Sequence, residues 1–137
     1  LSQRHRRMKK LIVDLDHTLS ITTNGDYVNS KPISPMIETL VKYKELGFEI
    51  VINSSRNMRT YGNNVGKINV HTLPNIVEWL NKHEIPYDEV YIGKPWCGFE
   101  GFYIDDKSIR PSEFLNYSYD EIEELLRKEK EAMDSLV

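Results

Sequence analysis

The sequence predicts an α/β protein: a parallel sheet with helices on both faces, three layers in all. Three observations carry this expectation. Short apolar runs recur along the chain, at Leu11-Ile12-Val13, Phe48-Glu49-Ile50-Val51-Ile52, Val90-Tyr91-Ile92 and Gly101-Phe102-Tyr103-Ile104. Segments of helical periodicity alternate with them, the pattern of βαβ units whose right-handed crossovers keep strands parallel. Each run also ends in polar residues: Asp14 and Asp16, then Asn53-Ser54-Ser55-Arg56, then Lys94, then Asp105-Asp106. Open parallel sheets bind ligands beyond the carboxyl ends of their strands. These groups are therefore expected to converge on one pocket.

Taken in order, the first strand is the run at Leu11, and residues 20–31 follow as a polar flap whose Asn24-Gly25 pair signals a hairpin turn. Ser34 and Pro35 read as N-cap and first-turn proline of a helix with an apolar stripe of Ile37, Leu40, Val41 and Tyr43, stopped by Gly47. After the second strand, residues 57–71 carry Arg59, Tyr61, Asn63, Asn64, Gly66, Lys67 and His71 without apolar periodicity. They read as a functional loop or irregular lid. A second helix is expected over 74–83 on Ile76, Val77 and Leu80. The third and fourth strands come next, and the last helix runs over 119–135 with a Ser118/Glu121 capping box and a stripe of Ile122, Leu125, Leu126 and Met133.

At 137 residues and 39% hydrophobic, the chain suits one compact domain over 8–137, with no room for a second. Residues 1–7 are polar and basic and precede Met8, read as the native start. That extension is expected to be disordered or foreign to the native chain, with a basic tail that touches anionic partners as the alternative. A net charge of −3 argues against nucleic acid as the main partner. No run approaches the ~20 apolar residues that span a bilayer. Cys97 is the one cysteine, which excludes an internal disulfide and fits a reducing compartment. The expected location is cytoplasmic.

Clustered carboxylates need a remedy, because a like-charged pair ~4 Å apart at an effective dielectric of ~20 costs roughly 4 kcal/mol. A bound cation supplies it, and magnesium suits carboxylates, waters and a substrate phosphate. Asp14 can attack phosphorus and form an aspartyl phosphate. Asp16, two residues on, can protonate the leaving oxygen and then deprotonate water. Ser54 can donate a hydrogen bond to a phosphate oxygen, and Lys94 supplies positive charge.

These motifs, in this order, resemble the haloacid dehalogenase superfamily of phosphohydrolases: Asp14-Leu15-Asp16-His17-Thr18, then Ser54 followed by Arg56, then Lys94, then Asp105-Asp106. The likeness spans roughly residues 9–110. It implies a Rossmann-like fold of three layers and a magnesium ion held by Asp14, Asp16, Asp105 and Asp106. Asp14 is then nucleophile and ligand, and Asp16 is acid/base with its main-chain carbonyl on the metal. Which of Asp105 and Asp106 ligates directly is left open. Thr18, Ser54, Ser55, Arg56 and Lys94 are implied to bind substrate. Aspartate at position 16 is what phosphatase members carry, and the chain length implies a capless member and a homo-oligomer. The runs 57–61 and 93–98 are similar to small bacterial phosphatases of capsular polysaccharide biosynthesis, which implies a small phosphorylated substrate, a sugar phosphate.

Three rival functions stand beside a phosphatase. A receiver-like domain would accept phosphate on aspartate but lack an acid/base at position 16. A sugar-phosphate-binding module would bind without turnover, and a phosphomutase would need a larger cap. Arg56 has two readings, substrate phosphate or a partner acid such as Glu100 or Asp106. Trp96 can stack on a sugar or simply pack, Cys97 reads as structural, and Lys67 and His71 are weaker substrate-loop candidates. His17 stands where many relatives have glycine.

Overall fold

The computed structural model describes residues 8–137; the expectations for residues 1–7 lie outside the described residues. Two compact units make up the chain, one ending at Trp96 and the other running Cys97–Val137.

In the first unit the branched run at the N-terminus forms β1 (Lys10–Val13), and the antiparallel pair β2 (Ser20–Ile21) and β3 (Lys31–Pro32) follows. This pair is the expected flap. Asn24 and Gly25 turn its tip at φ of 52° and 70°, and a short 3-10 turn at Tyr27–Asn29 returns the chain. The indole of Trp79 donates to the Ser30 carbonyl at 3.0 Å and ties the flap to the body.

Helix α1 (Ser34–Glu45) leads into β4 (Glu49–Ser54), then α2 (Val65–His71), α3 (Leu73–Lys82) and β5 (Glu89–Ile92). The cap of α1 is Ile33 rather than Ser34, which lies already inside the helix with Pro35 in its first turn. The buried stripe of α1 is Met36, Leu40 and Tyr43, whereas Val41 is exposed. Residues 57–71 are less irregular than expected. Their second half is α2, started by the Asn64 side chain accepting from the Lys67 N–H at 3.1 Å. A local side-chain cap gave this short helix its start where apolar periodicity was absent.

The sheet has the order β1-β4-β5, all parallel, with Val13 level with Ile52 and Ser54 level with Ile92. It is flanked by helices, and the α/β class and parallel pairing are as expected. Both crossovers step the same way across the sheet, so their right-handedness puts α1, α2 and α3 on one face. Ile50 and Ile52 on that face are fully buried, as are Leu40, Ile76 and Leu80 from the helices. Strand alternation sends Lys10, Ile12, Val51, Asn53, Glu89 and Tyr91 to the opposite face, where they line an open recess. Ile12 is 60% and Tyr91 55% exposed there.

The second unit holds α4 (Pro111–Asn116) and α5 (Tyr119–Asp134). The expected capping box is present: Ser118 Oγ accepts from the Glu121 N–H at 3.2 Å and Glu121 accepts from the Ser118 N–H at 2.8 Å. Of the expected stripe Ile122 is buried, Leu125 and Leu126 are half-buried, and Met133 is exposed. Gly101–Ile104 is not a strand, contrary to expectation. Its unit contributes no other strand, and four residues cannot hold a strand without an edge to pair with. Phe102 and Ile104 are 76% and 88% exposed.

Candidate active site

At the end of β1 the side chain of Leu15 is fully buried, so alternation turns Asp14 and Asp16 together to the other side. The Leu15 carbonyl accepts from the N–H groups of Leu19, at 2.8 Å, and Ser20, at 3.2 Å, closing a tight loop. His17 takes φ of 64° to complete it, the left-handed region that glycine occupies without strain.

Parallel pairing sets the ends of β4 and β5 beside this loop. The Lys94 N–H donates to the Ser54 carbonyl at 3.1 Å, continuing the pairing past Ile92. Gly93 makes the turn at φ of 85°, where a Cβ would also press on Val65 at 3.2 Å. The Lys94 Nζ consequently stands 3.6 Å from Asp14 Oδ1. Thr18 Oγ1 donates to Asp14 Oδ2 at 3.3 Å. Burial pushes the Asp14 carboxyl above its ordinary range, Lys94 pulls it back, and Asp16 adds to the upward push.

Arg56 resolves its two readings by a third route. Its guanidinium forks onto Asp16, with Nη2 at 2.8 Å and Nε at 3.2 Å from the two carboxylate oxygens. The Tyr27 ring of the flap lies 4.1 Å beneath the guanidinium. Arg56 is buried, so this fork fixes the plane of the Asp16 carboxylate. Tyr27 is a site residue that the sequence did not single out. Nothing in its spacing marks it, because its partner is twenty-nine positions away.

Ser54 is buried, and its hydroxyl accepts from the Arg56 N–H at 3.0 Å. Ser55 is half-buried in the same turn. Thus Asp14, Asp16, Thr18, Ser54, Ser55, Arg56 and Lys94 all meet at one sheet edge. Trp96 has the Arg59 guanidinium 5.9 Å over its ring. His71 packs against Tyr61 with centroids 5.7 Å apart, and Cys97 is half-buried.

Asp105 and Asp106 belong to the second unit and are exposed. They line a recess of that unit with Glu113 and Glu129. The Asp105 carboxyl is held below its ordinary range first by sharing a proton with the Asp106 carboxyl and then by the Lys107 N–H, which donates to its Oδ1 at 3.3 Å. Among the described residues, no three His, Cys, Asp or Glu side chains gather closely enough to hold a metal ion, and both oxygens of Asp16 are engaged by Arg56. Among the same residues, no helix is long and apolar enough to cross a membrane.

No family model matches the chain, and no curated protein matches it. Among solved structures, a crystallographic target from Vibrio cholerae is 61% identical, with a TM-score of 0.87 over 89% of this chain and 99% of that one. Partial likenesses extend to a Pnkp1/Rnl/Hen1 RNA repair complex, at 20% identity over 68% of this chain and 28% of that chain, TM-score 0.47. Another is to a D,D-heptose 1,7-bisphosphate phosphatase from B. bronchiseptica, at 12% identity over 69% and 54% of the two chains, TM-score 0.44. The identity and coverage of the first show that this chain belongs to the same family as the Vibrio cholerae protein.

Proposed function

We propose that the chain is a phosphomonoester hydrolase of haloacid dehalogenase type, acting on a small phosphorylated substrate, a sugar phosphate of the kind used in capsule polysaccharide synthesis. The observation that carries this reading is the Lys94 ammonium 3.6 Å from the Asp14 carboxylate, at the carboxyl ends of neighbouring parallel strands. An Asp14 oxygen attacks phosphorus as the bond to the leaving oxygen breaks, and Asp16 gives that oxygen its proton. Water then attacks the aspartyl phosphate, returning its proton to Asp16 and releasing inorganic phosphate with Asp14 restored.

Each neighbour has a task in this scheme. Lys94 offsets charge on the transferring group, Thr18 orients Asp14, and Arg56 holds Asp16 in plane. Ser54, Ser55 and Arg56 form the turn against which phosphate oxygens would rest. Asp14 and the main-chain carbonyl of Asp16 would hold a magnesium ion, whose charge would offset that of the transferring group. A phosphomonoester panel tests the reading: the wild type should release phosphate from sugar phosphates, and Asp14→Asn should abolish release with its melting temperature retained. Binding of sugar phosphates without release would favour the binding-module alternative instead. A long-lived phosphoaspartate would point to a receiver-like domain.

A further inference from the structure

Thr72 stands where α2 ends and α3 begins, and it is buried. Its backbone is spent on the two helices: the N–H donates to the Ile68 carbonyl at 2.9 Å, and the carbonyl accepts from the Ile76 N–H at 3.1 Å. A threonine in front of a helix ordinarily turns its hydroxyl back to cap the first N–H groups. Here no such bond forms. The Thr72 hydroxyl instead donates to Asn57 Oδ1 at 2.7 Å, across fifteen positions of chain.

Asn57 follows Arg56 and has φ of 63°. Asparagine enters this left-handed region more readily than most residues, but the conformation still has to be held. Both ends of its amide are tied, since Nδ2 donates to Thr60 Oγ1 at 3.3 Å while Thr72 holds Oδ1. The turn before it is bonded too. The Arg56 N–H donates to Ser54 Oγ at 3.0 Å, and the Met58 N–H donates to the Ser55 carbonyl at 3.1 Å. The direction in which Arg56 leaves this turn decides whether its guanidinium meets both oxygens of Asp16, at 2.8 and 3.2 Å.

We propose that Thr72 is a positioning residue: through Asn57 it aims Arg56 at Asp16, and so sets the geometry in which Asp16 gives its proton to the leaving oxygen. The inference deepens the phosphatase reading and rests on it. A displacement of about 1 Å that begins far from the chemistry can cost about a hundredfold in rate. Asp16 matters most when the leaving oxygen is strongly basic, as the alkoxide of a sugar is, and least when it is a nitrophenolate, which departs without a proton. Loss of the Thr72 donor should carry the same selectivity.

Thr72→Val keeps the shape of the side chain and removes its donor. The two substrates are para-nitrophenyl phosphate and the sugar phosphate that the wild type hydrolyses fastest, each measured as kcat/KM. The ratio of the sugar phosphate value to the aryl value should fall about tenfold in Thr72→Val, and Thr72→Ser should restore it. An unchanged ratio, whether both values fall together or neither falls, makes Thr72 a structural residue only and overturns the proposal. Asn57→Gly serves where Thr72→Val fails to fold, because glycine adopts a left-handed φ freely but lacks the amide. The same fall in the ratio is expected, and an unchanged ratio again overturns the proposal. A second measurement needs no turnover. The Arg56 Nε–H resonance of nitrogen-labelled protein, assigned by its loss in Arg56→Lys, should exchange slowly with water in the wild type and Thr72→Ser and quickly in Thr72→Val. Slow exchange in Thr72→Val would overturn the aiming of Arg56. Inactivity of the wild type on both esters would instead overturn the phosphatase reading, and the resonance alone would then decide whether Thr72 positions Arg56.

Discussion

Lys94 does two jobs through one distance. Within 3.6 Å of Asp14 it offsets charge during transfer and lowers a carboxyl that burial raises. Lys94→Met should therefore reduce turnover by about a hundred- to a thousandfold, the loss typical for removing one transition-state donor. It should also shift the acid limb of the pH–rate profile upward, because Asp14 attacks only when deprotonated and has lost the group that favoured that form. An unmoved acid limb would separate Lys94 from Asp14. Tyr27 acts more remotely, by stacking on the guanidinium that holds Asp16. Tyr27→Leu should cost about 1 kcal/mol of that positioning, read as a several-fold fall in kcat with KM little changed. His17 tests the loop itself. Its φ of 64° makes His17→Gly neutral or stabilising by up to about 1 kcal/mol in a melting experiment.

Elements differ in how they declare themselves. Those that bury a periodic face or carry a local cap were legible: β1, β4 and β5 from branched apolar runs, α3 from its stripe, and α5 from Ser118 and Glu121. The strand-end groups Asp14, Asp16, Ser54, Arg56 and Lys94 followed from those strands, since parallel pairing alone brings them to one edge. Three features were not legible for physical reasons. The start of α1 depended on the entry geometry at Ile33. Helix α2 is nucleated by a side-chain cap rather than by periodicity. Gly101–Ile104 has strand composition but no strand edge in its own unit, and pairing is a property of two segments rather than one. Asp88 shows how a loop residue can secure a strand. Its carboxylate accepts from the Ile50 N–H at 2.8 Å and from Lys44 at 2.7 Å, and these bonds hold it below the ordinary carboxylate range. A carboxyl lowered by folding stabilises above its unfolded pKa and loses that contribution as pH falls through the folded value. Denaturant midpoints should thus decline from about pH 5 downward, and Asp88→Asn should flatten that decline. An equally steep decline in the variant would assign it to other carboxylates.

Taken whole, the molecule carries acidic groups in both of its units. The unit ending at Trp96 holds the proposed nucleophile, its acid/base and its lysine on one sheet edge, while the unit from Cys97 holds the remaining acidic pair. The central claim, however, is that Asp14 takes the phosphoryl group. Its most direct test is acid quenching during turnover of a hydrolysed sugar phosphate, followed by peptide mass spectrometry. The peptide containing Asp14 should carry one phosphoryl group that is lost on mild alkaline treatment and is absent from Asp14→Asn. Turnover that leaves Asp14 unmodified, or a phosphoryl group on any other residue, would contradict the account.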